Sequence, residues 1–208
     1  MLDNLDLSHL PREKQELAFI LAEELQQRET RKLARDDFLT FVRTMWPSFI
    51  EGAHHRKMSQ TFNRIARGEL KRVIINMGPR HSKSEMSSYM LPSWLLGLKP
   101  DLKIIQATHT GELAVRFGRK IRDLVDTEEY KRIFENVALR ADSKAAGRWE
   151  TSKGGEYFAA GVGGAITGRG ADVLIIDDPH SEQDAMSETA MESAYEWYTS
   201  GPRQRLQP

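Results

Sequence analysis

Lys83-Ser84 closes a short turn that follows the β-branched run Val73-Ile74-Ile75-Asn76, and the residues beyond it read as a helix. A strand, an anion-cradling turn and a helix start, with Lys-Ser at the junction, form the layout of a loop that binds a triphosphate. Such a loop needs backbone N–H groups converging on the phosphates, one mobile cation and a hydroxyl for the metal. Lys83 supplies the cation for the β- and γ-phosphates, Ser84 the hydroxyl for Mg²⁺, and the N–H groups of His81 to Ser84 the cradle. Far downstream, Val173-Leu174-Ile175-Ile176 runs into Asp177-Asp178. Two carboxylates at the carboxyl end of an apolar strand stand where ligands bind in open α/β sheets. Asp177 is placed to hold Mg²⁺, and Asp178 to orient or deprotonate an attacking water. The pair, in this order, points to nucleotide hydrolysis.

Against the pattern G-x-x-x-x-G-K-[ST], the loop departs twice. Met77 stands at the first glycine, with Gly78 one place late, and Ser82 replaces the glycine before the lysine. A non-glycine residue at position 82 costs about 1 kcal/mol if the loop demands a positive φ there. Pro79 fills the turn, and Arg80 adds a second cation three residues before Lys83. The same residues also fit an ordinary strand–turn–helix with a surface Lys-Ser, and Asp177-Asp178-Pro179 also fits a capping turn.

Arg169 lies between Gly168 and Gly170, so its guanidinium is exposed on a mobile loop. A cation delivered to the γ-phosphate accelerates phosphoryl transfer by about 10³- to 10⁵-fold. Arg169 is the candidate finger, acting on a neighbouring subunit, with a solvated loop arginine as the alternative and Arg148 as a rival. Arg116, Arg119, Lys120 and Arg122 crowd one helix and could face DNA phosphates. Asp123 and Asp126 dilute that patch, which favours a solvated face. Trp46, Pro47 and Phe49 could stack on an adenine, although core packing suits them better. Asp172 reads as a turn or cap residue and His180 as a loop histidine.

The elements that must position these residues can be read from periodicity. A helix spans about 11–32, with Leu17, Ile20, Leu21 and Leu25 on one stripe. Asp36 caps a second helix carrying Phe38, Phe41, Val42 and Met45, and a third runs from Ala53 to Ala66 and closes at Gly68. Val73 to Asn76 is a buried strand. The helix after the loop runs from Lys83 to Leu96, kinked by Pro92. Strands follow at Lys103 to Thr108 and Val173 to Ile176, and a hairpin over Trp149 to Val162 turns at Gly154-Gly155. Helices fill Glu112 to Val125, Glu128 to Phe134 and Glu188 to Tyr198. Strands separated by helices predict an α/β fold with a mostly parallel sheet flanked by helices on both faces, preceded by an N-terminal helical subdomain.

Composition sets the outer bounds. The chain has 208 residues, and its 30 basic and 30 acidic residues cancel, so any nucleic-acid surface has to be local. It has no cysteine, which excludes disulfides and thiolate metal sites. The N-terminus carries Asp3 and Asp6 and lacks a signal pattern, and no apolar run is long enough to cross a membrane.

Three motifs together resemble one family. The run Ile75-Asn76-Met77-Gly78-Pro79-Arg80-His81-Ser82-Lys83-Ser84-Glu85 is similar to the deviant Walker A loop of tailed-bacteriophage large terminase subunits. So are Gly163-Gly164-Ala165-Ile166-Thr167-Gly168-Arg169-Gly170-Ala171-Asp172 and Ile175-Ile176-Asp177-Asp178-Pro179. The family loop usually reads Pro-Pro-Arg-His-Gly-Lys-Ser, so Gly78 and Ser82 are departures. The resemblance implies a P-loop NTPase of the ASCE type, with residues 1–68 a helical region and 69–208 the ATPase core. It implies ATP and Mg²⁺ as cofactors, with Gly78 to Ser84 on the nucleotide, Ser84 and Asp177 on the metal, and Arg80, Arg169 and Asp178 in catalysis. It further implies a motor that drives double-stranded viral DNA into a procapsid in the host cytoplasm. The implied partners are the portal protein, the small terminase subunit and copies of the chain in a ring, usually a pentamer, with a monomer in isolation. Full-length family members add a nuclease domain, and no nuclease activity is expected of these residues. A helicase-like motor, or a degenerate loop serving assembly or DNA binding, are the competing expectations.

Overall fold

A computed structural model describes residues 11–166 and 168–207, the side chain of Lys144 apart. Asp3, Asp6 and Thr167 of the middle motif lie outside the described residues. Three helices open the chain: α1 (Arg12–Asp36), α2 (Phe38–Met45) and α3 (Ala53–Ala66). The cap of α2 is Asp37 rather than the expected Asp36. Its carboxylate accepts from the Thr40 N–H at 2.8 Å and from Asn63 Nδ2 of α3 at 2.8 Å. The Phe38 N–H donates back to Asn63 Oδ1 at 2.9 Å, so one carboxylate and one amide lock α2 to α3. The stripe of α1 is not buried on this chain. Leu17, Ile20, Leu21 and Leu25 are exposed, and Ala34 near the end of the helix is its buried residue.

After the candidate loop comes a π-helical turn, Glu85–Met90, continued by α4 (Leu91–Leu98). The single kinked helix expected over this span is therefore two helical forms joined. Proline has no N–H, and its ring clashes with the carbonyl four residues earlier. For Pro92 that carbonyl belongs to Ser88. A turn of i→i+5 bonds, in which the Leu91 N–H reaches Met86 O, widens the backbone just where the clash would fall.

Next follow β1 (Lys103–Thr108), α5 (Gly111–Val125), α6 (Glu128–Ile133), β2 (Leu139–Ala145), β3 (Arg148–Thr151), β4 (Glu156–Gly161), β5 (Val173–Ile176) and α7 (Glu188–Ser200). The sheet order is β2-β3-β4-β1-β5. Strand β1 is parallel to both β4 and β5, whereas β2, β3 and β4 pair antiparallel. The architecture is α/β, as expected, but the sheet is mixed rather than mostly parallel. The expected hairpin is β3–β4, with Gly154 at φ 87° in its turn. Strand β2, which completes the antiparallel half, carries Arg140, Asp142, Ser143 and Lys144 and so lacks an apolar run to betray it.

Two corrections concern strands near the site. Val73 to Asn76 forms no strand: it has no ladder partner, and Ile74 is 89% exposed while Ile75 and Met77 pack on the core. Strand β5 is only partly buried. Its inner edge pairs with β1, and beside its start lies a single parallel bridge, Ala171 to Leu206.

Alternate residues of each strand face two unequal clusters. Ile104, Tyr157, Val173 and Ile175 join the larger one, with Phe38, Phe41, Met58 and Phe62 of the N-terminal helices and Trp94 of α4. Ile105, Ala160, Leu174, Ile166 and Trp197 form the smaller one on the opposite face. Helix α5 lies close on the larger-cluster side because Gly118 allows it. A Cβ there would meet Ala146 O at 2.5 Å, and Trp149 Nε1 donates to Gly118 O at 3.0 Å.

Candidate functional site

The parallel strands β1, β4 and β5 end together at Thr108, Gly161 and Ile176. Asp177 and Asp178 continue β5 past that end, held there by the Asp177 N–H on Ala107 O at 2.9 Å and the His109 N–H on Asp178 O at 3.2 Å. Lys83 arrives from the loop before the π-helical turn. Its ammonium hydrogen-bonds Asp178 and lies 3.5 Å from Asp177 Oδ1. Lys83 and the adjacent pair Asp177-Asp178, far apart in the sequence, thus meet at one point.

Their environments differ. Asp177 is 6% exposed and accepts at Oδ2 from the Ser88 hydroxyl at 2.9 Å. The Asp178 side chain is largely in solvent, which suits a group that handles water. Burial works to lower the pKa of Lys83, but the hydrogen bond it donates to Asp178 and the charges of Asp177 and Asp178 outweigh it. The ammonium is held above its ordinary value and stays charged at neutral pH. The groups that meet Lys83 here, the carboxylates of Asp177 and Asp178, are oxygen donors. That hard set suits Mg²⁺ better than a softer metal.

The loop and the acidic pair carry backbone strain. Arg80 has φ 61°, Ser82 φ 58° and Asp178 φ 43°. Ser82 therefore occupies the left-handed conformation for which a glycine would be the unstrained residue. Gly78, by contrast, has no positive φ, and a Cβ there would meet nothing closer than the His81 ring at 3.7 Å. The departure at Met77-Gly78 is thus sterically tolerated. His81 Nδ1 lies 2.7 Å from Pro79 O, folding the loop on itself.

A series of rings leads from the helical region to this loop. Trp46 and Phe49 are 5.2 Å apart, Phe49 and His55 4.7 Å, His55 and His54 3.8 Å, and His54 and His81 5.5 Å. Trp46 and Phe49 pack against the core, as their apolar character suggested. His55 is held below the ordinary histidine pKa, first by burial and then by the charge of His54.

Other expected residues lie elsewhere. Arg169 pairs with Glu156 and lies 4.3 Å over the Phe158 ring, and Arg148 binds the same Glu156 at 3.1 Å. Glu156 opens β4 beside Lys103, while Asp177 follows Ile176 beside Ala107. Lys103 and Ala107 are about 13 Å apart at strand rise. Neither candidate finger is brought to Lys83 within one chain. Of the basic residues on α5, Lys120 is engaged by Glu85 at 2.7 Å and Arg122 by Asp123 at 2.7 Å, while Arg116 and Arg119 are exposed. Asp172, expected to be a turn or cap residue, accepts from the Lys103 N–H at the start of β1 at 2.8 Å.

Two site residues escaped the sequence reading, Ser88 and His109. The signal for His109 was available, since it follows the last residue of a strand whose carboxyl end faces the site. No family model matches the chain, and no curated protein matches it at a significant level.

Proposed function

We propose that the chain is a P-loop ATPase, and that its work is that of the terminase motor its three motifs resemble. The observation that carries the ATPase reading is the meeting of Lys83 with Asp177 and Asp178 at the carboxyl end of the parallel strands. ATP would supply the phosphoanhydride bond that is broken, and a bound Mg²⁺ would offset phosphate charge. Lys83 holds the phosphates as a fixed positive charge. Ser84 and Asp177 offer oxygen ligands to the metal. Asp178, exposed and next to them, orients water for in-line attack and accepts its proton. Arg80, exposed on the strained loop, adds positive charge to the same region.

The packaging role rests on the resemblance of the three motifs. Under it the chain works in a ring on the portal, with the small subunit and double-stranded DNA as partners. Arg169, remote from its own Lys83, serves a neighbour's site after release from Glu156. A degenerate, non-hydrolysing loop is the rival reading, favoured by the positive φ of Ser82.

The test is nucleotide binding and phosphate release by the wild-type chain and by Lys83→Ala and Asp177→Ala, each checked for its fold by circular dichroism. We expect both variants to lose at least 100-fold in turnover, a deficit of about 2.7 kcal/mol in transition-state stabilisation. Turnover like wild type in either variant removes the ATPase assignment. Binding without hydrolysis by the wild-type chain, even with DNA present, favours the silent module.

A further inference from the structure

Ser88 was not among the residues that the loop pattern singles out, yet it makes the closest side-chain contact to the buried carboxylate of the site. Its hydroxyl is fully buried and donates to Asp177 Oδ2 at 2.9 Å. The charged neighbour Lys83 lies farther off, 3.5 Å from Oδ1 and beyond the usual hydrogen-bond distance. We infer that Ser88 is a positioning residue: it fixes the rotation of the Asp177 carboxylate so that Oδ1, not Oδ2, faces the phosphate loop. The inference rests on the reading of the site as a magnesium–nucleotide site and deepens it.

The backbone explains why a residue four places beyond Ser84 can do this. Ser88 sits inside the π-helical turn Glu85–Met90. Turns of this kind concentrate at functional sites. With i→i+5 bonding, roughly four to five residues complete one revolution, so Ser84 and Ser88 lie on nearly the same side. Pro92 gives the turn its cause, because its ring would clash with the Ser88 carbonyl in an α-helix. The neighbouring Ser87 hydroxyl is turned to Lys83 O at 2.8 Å, tying the turn to the residue that carries the ammonium. A proline beyond the site thus sets the direction of a hydroxyl within it.

The chemistry needs such a restraint. Magnesium demands near-ideal octahedral geometry at about 2.0–2.1 Å, so a carboxylate free to rotate is a poor ligand. Groups that hydrogen-bond a ligating carboxylate typically change metal affinity by about 10- to 100-fold when removed. A hydroxyl that merely fills space between packed elements has no such effect on the metal.

The experiment separates these roles in the whole chain. Binding of a fluorescent ATP analogue is titrated without metal and across a Mg²⁺ series, for wild type, Ser88→Ala and Ser88→Thr. We expect Ser88→Ala to bind the analogue like wild type without metal. It should need about 10- to 100-fold more Mg²⁺ for the metal-dependent gain. Ser88→Thr, which keeps the hydroxyl, should return the requirement to within a few-fold of wild type. An unchanged Mg²⁺ requirement in Ser88→Ala overturns the inference, and so does a parallel loss of binding with and without metal. If Ser88→Ala melts too low to measure, Ser88→Cys takes its place, its thiol being a weaker donor of similar size; an unchanged requirement there overturns the inference too. A wild-type chain that binds no analogue at all removes the reading of the site, and this inference with it.

Discussion

Ser82 is the residue where the loop works against its own backbone. An L-residue in the left-handed region is disfavoured by about 1–2 kcal/mol. Replacing it by glycine relieves that cost but gives the unfolded chain more freedom, worth about 0.5–1 kcal/mol in the opposite direction. The two terms nearly cancel, so the stability of Ser82→Gly should differ from wild type by less than about 1 kcal/mol. Binding is another matter. Without a Cβ the backbone at position 82 can come closer to a phosphate, and we expect ATP affinity to rise roughly five-fold, equivalent to about 1 kcal/mol. Equilibrium titration measures it, and weaker binding by Ser82→Gly would show that the serine is a ligand rather than a hindrance. Asp178, also at positive φ, needs no such replacement, because Asp is among the residues that tolerate this region best. Its positive φ coincides with its contact to Lys83.

At the scale of elements, the junction of α2 and α3 depends on Asp37. Burial works to raise its pKa, but hydrogen bonds from Asn63 and Thr40 outweigh it, and the carboxyl is held below its ordinary 3.8. A depressed carboxyl pKa means that the unfolded chain binds the proton more readily. The stability it confers is full above the ordinary value and is lost as pH falls through the folded one. Asp37→Ala should therefore lower stability at pH 7 by about 1–2 kcal/mol, the usual worth of an N-cap. Thermal melts across pH should show the gap to wild type closing in strong acid, and a gap that persists there would assign the loss to packing instead. The cap also marks how far the sequence could be read. Helices α1, α3, α5 and α6 were legible because apolar spacing and turn residues agree, and the β3–β4 hairpin because the Gly154-Gly155 turn precedes the mostly apolar run of β4. The cap was misplaced by one residue because Asp36 and Asp37 are chemically alike, and only the contact with Asn63 selects between them. The meeting of Lys83 with Asp177 and Asp178 was legible because one group sits at a helix start and the others at a strand end. Ser88 was not, since its role depends on the register of a π-helical turn. Pro92 hinted at that turn, but it reads equally well as a kink.

At the scale of the whole molecule, the sheet is protected on one edge and open on the other. Arg140 and Asp142 make β2 a charged edge, which discourages pairing with a second copy. Beyond β5 the ladder continues only as the bridge at Ala171, while Ile176 is 36% exposed and Ile74 89% exposed on a segment without strand partners. Val73-Ile74-Ile75 is β-branched throughout and carries no charge, the composition that pairs most readily with another extended chain. Unpaired backbone on one segment and an open edge on another, both apolar, make self-association through this side of the molecule the expected failure at high concentration. Placing a charge on the most exposed of these side chains is the direct probe, because Ile74 contributes little to the core and lies outside the loop that carries Lys83. Ile74→Lys should leave the melting temperature within about 2 °C, as a surface change within ±0.5 kcal/mol does for a chain of this size. Sedimentation velocity over a concentration series should then show less association than wild type. Equal association by both chains would move the contact away from this segment, to the exposed leucines and isoleucine of α1.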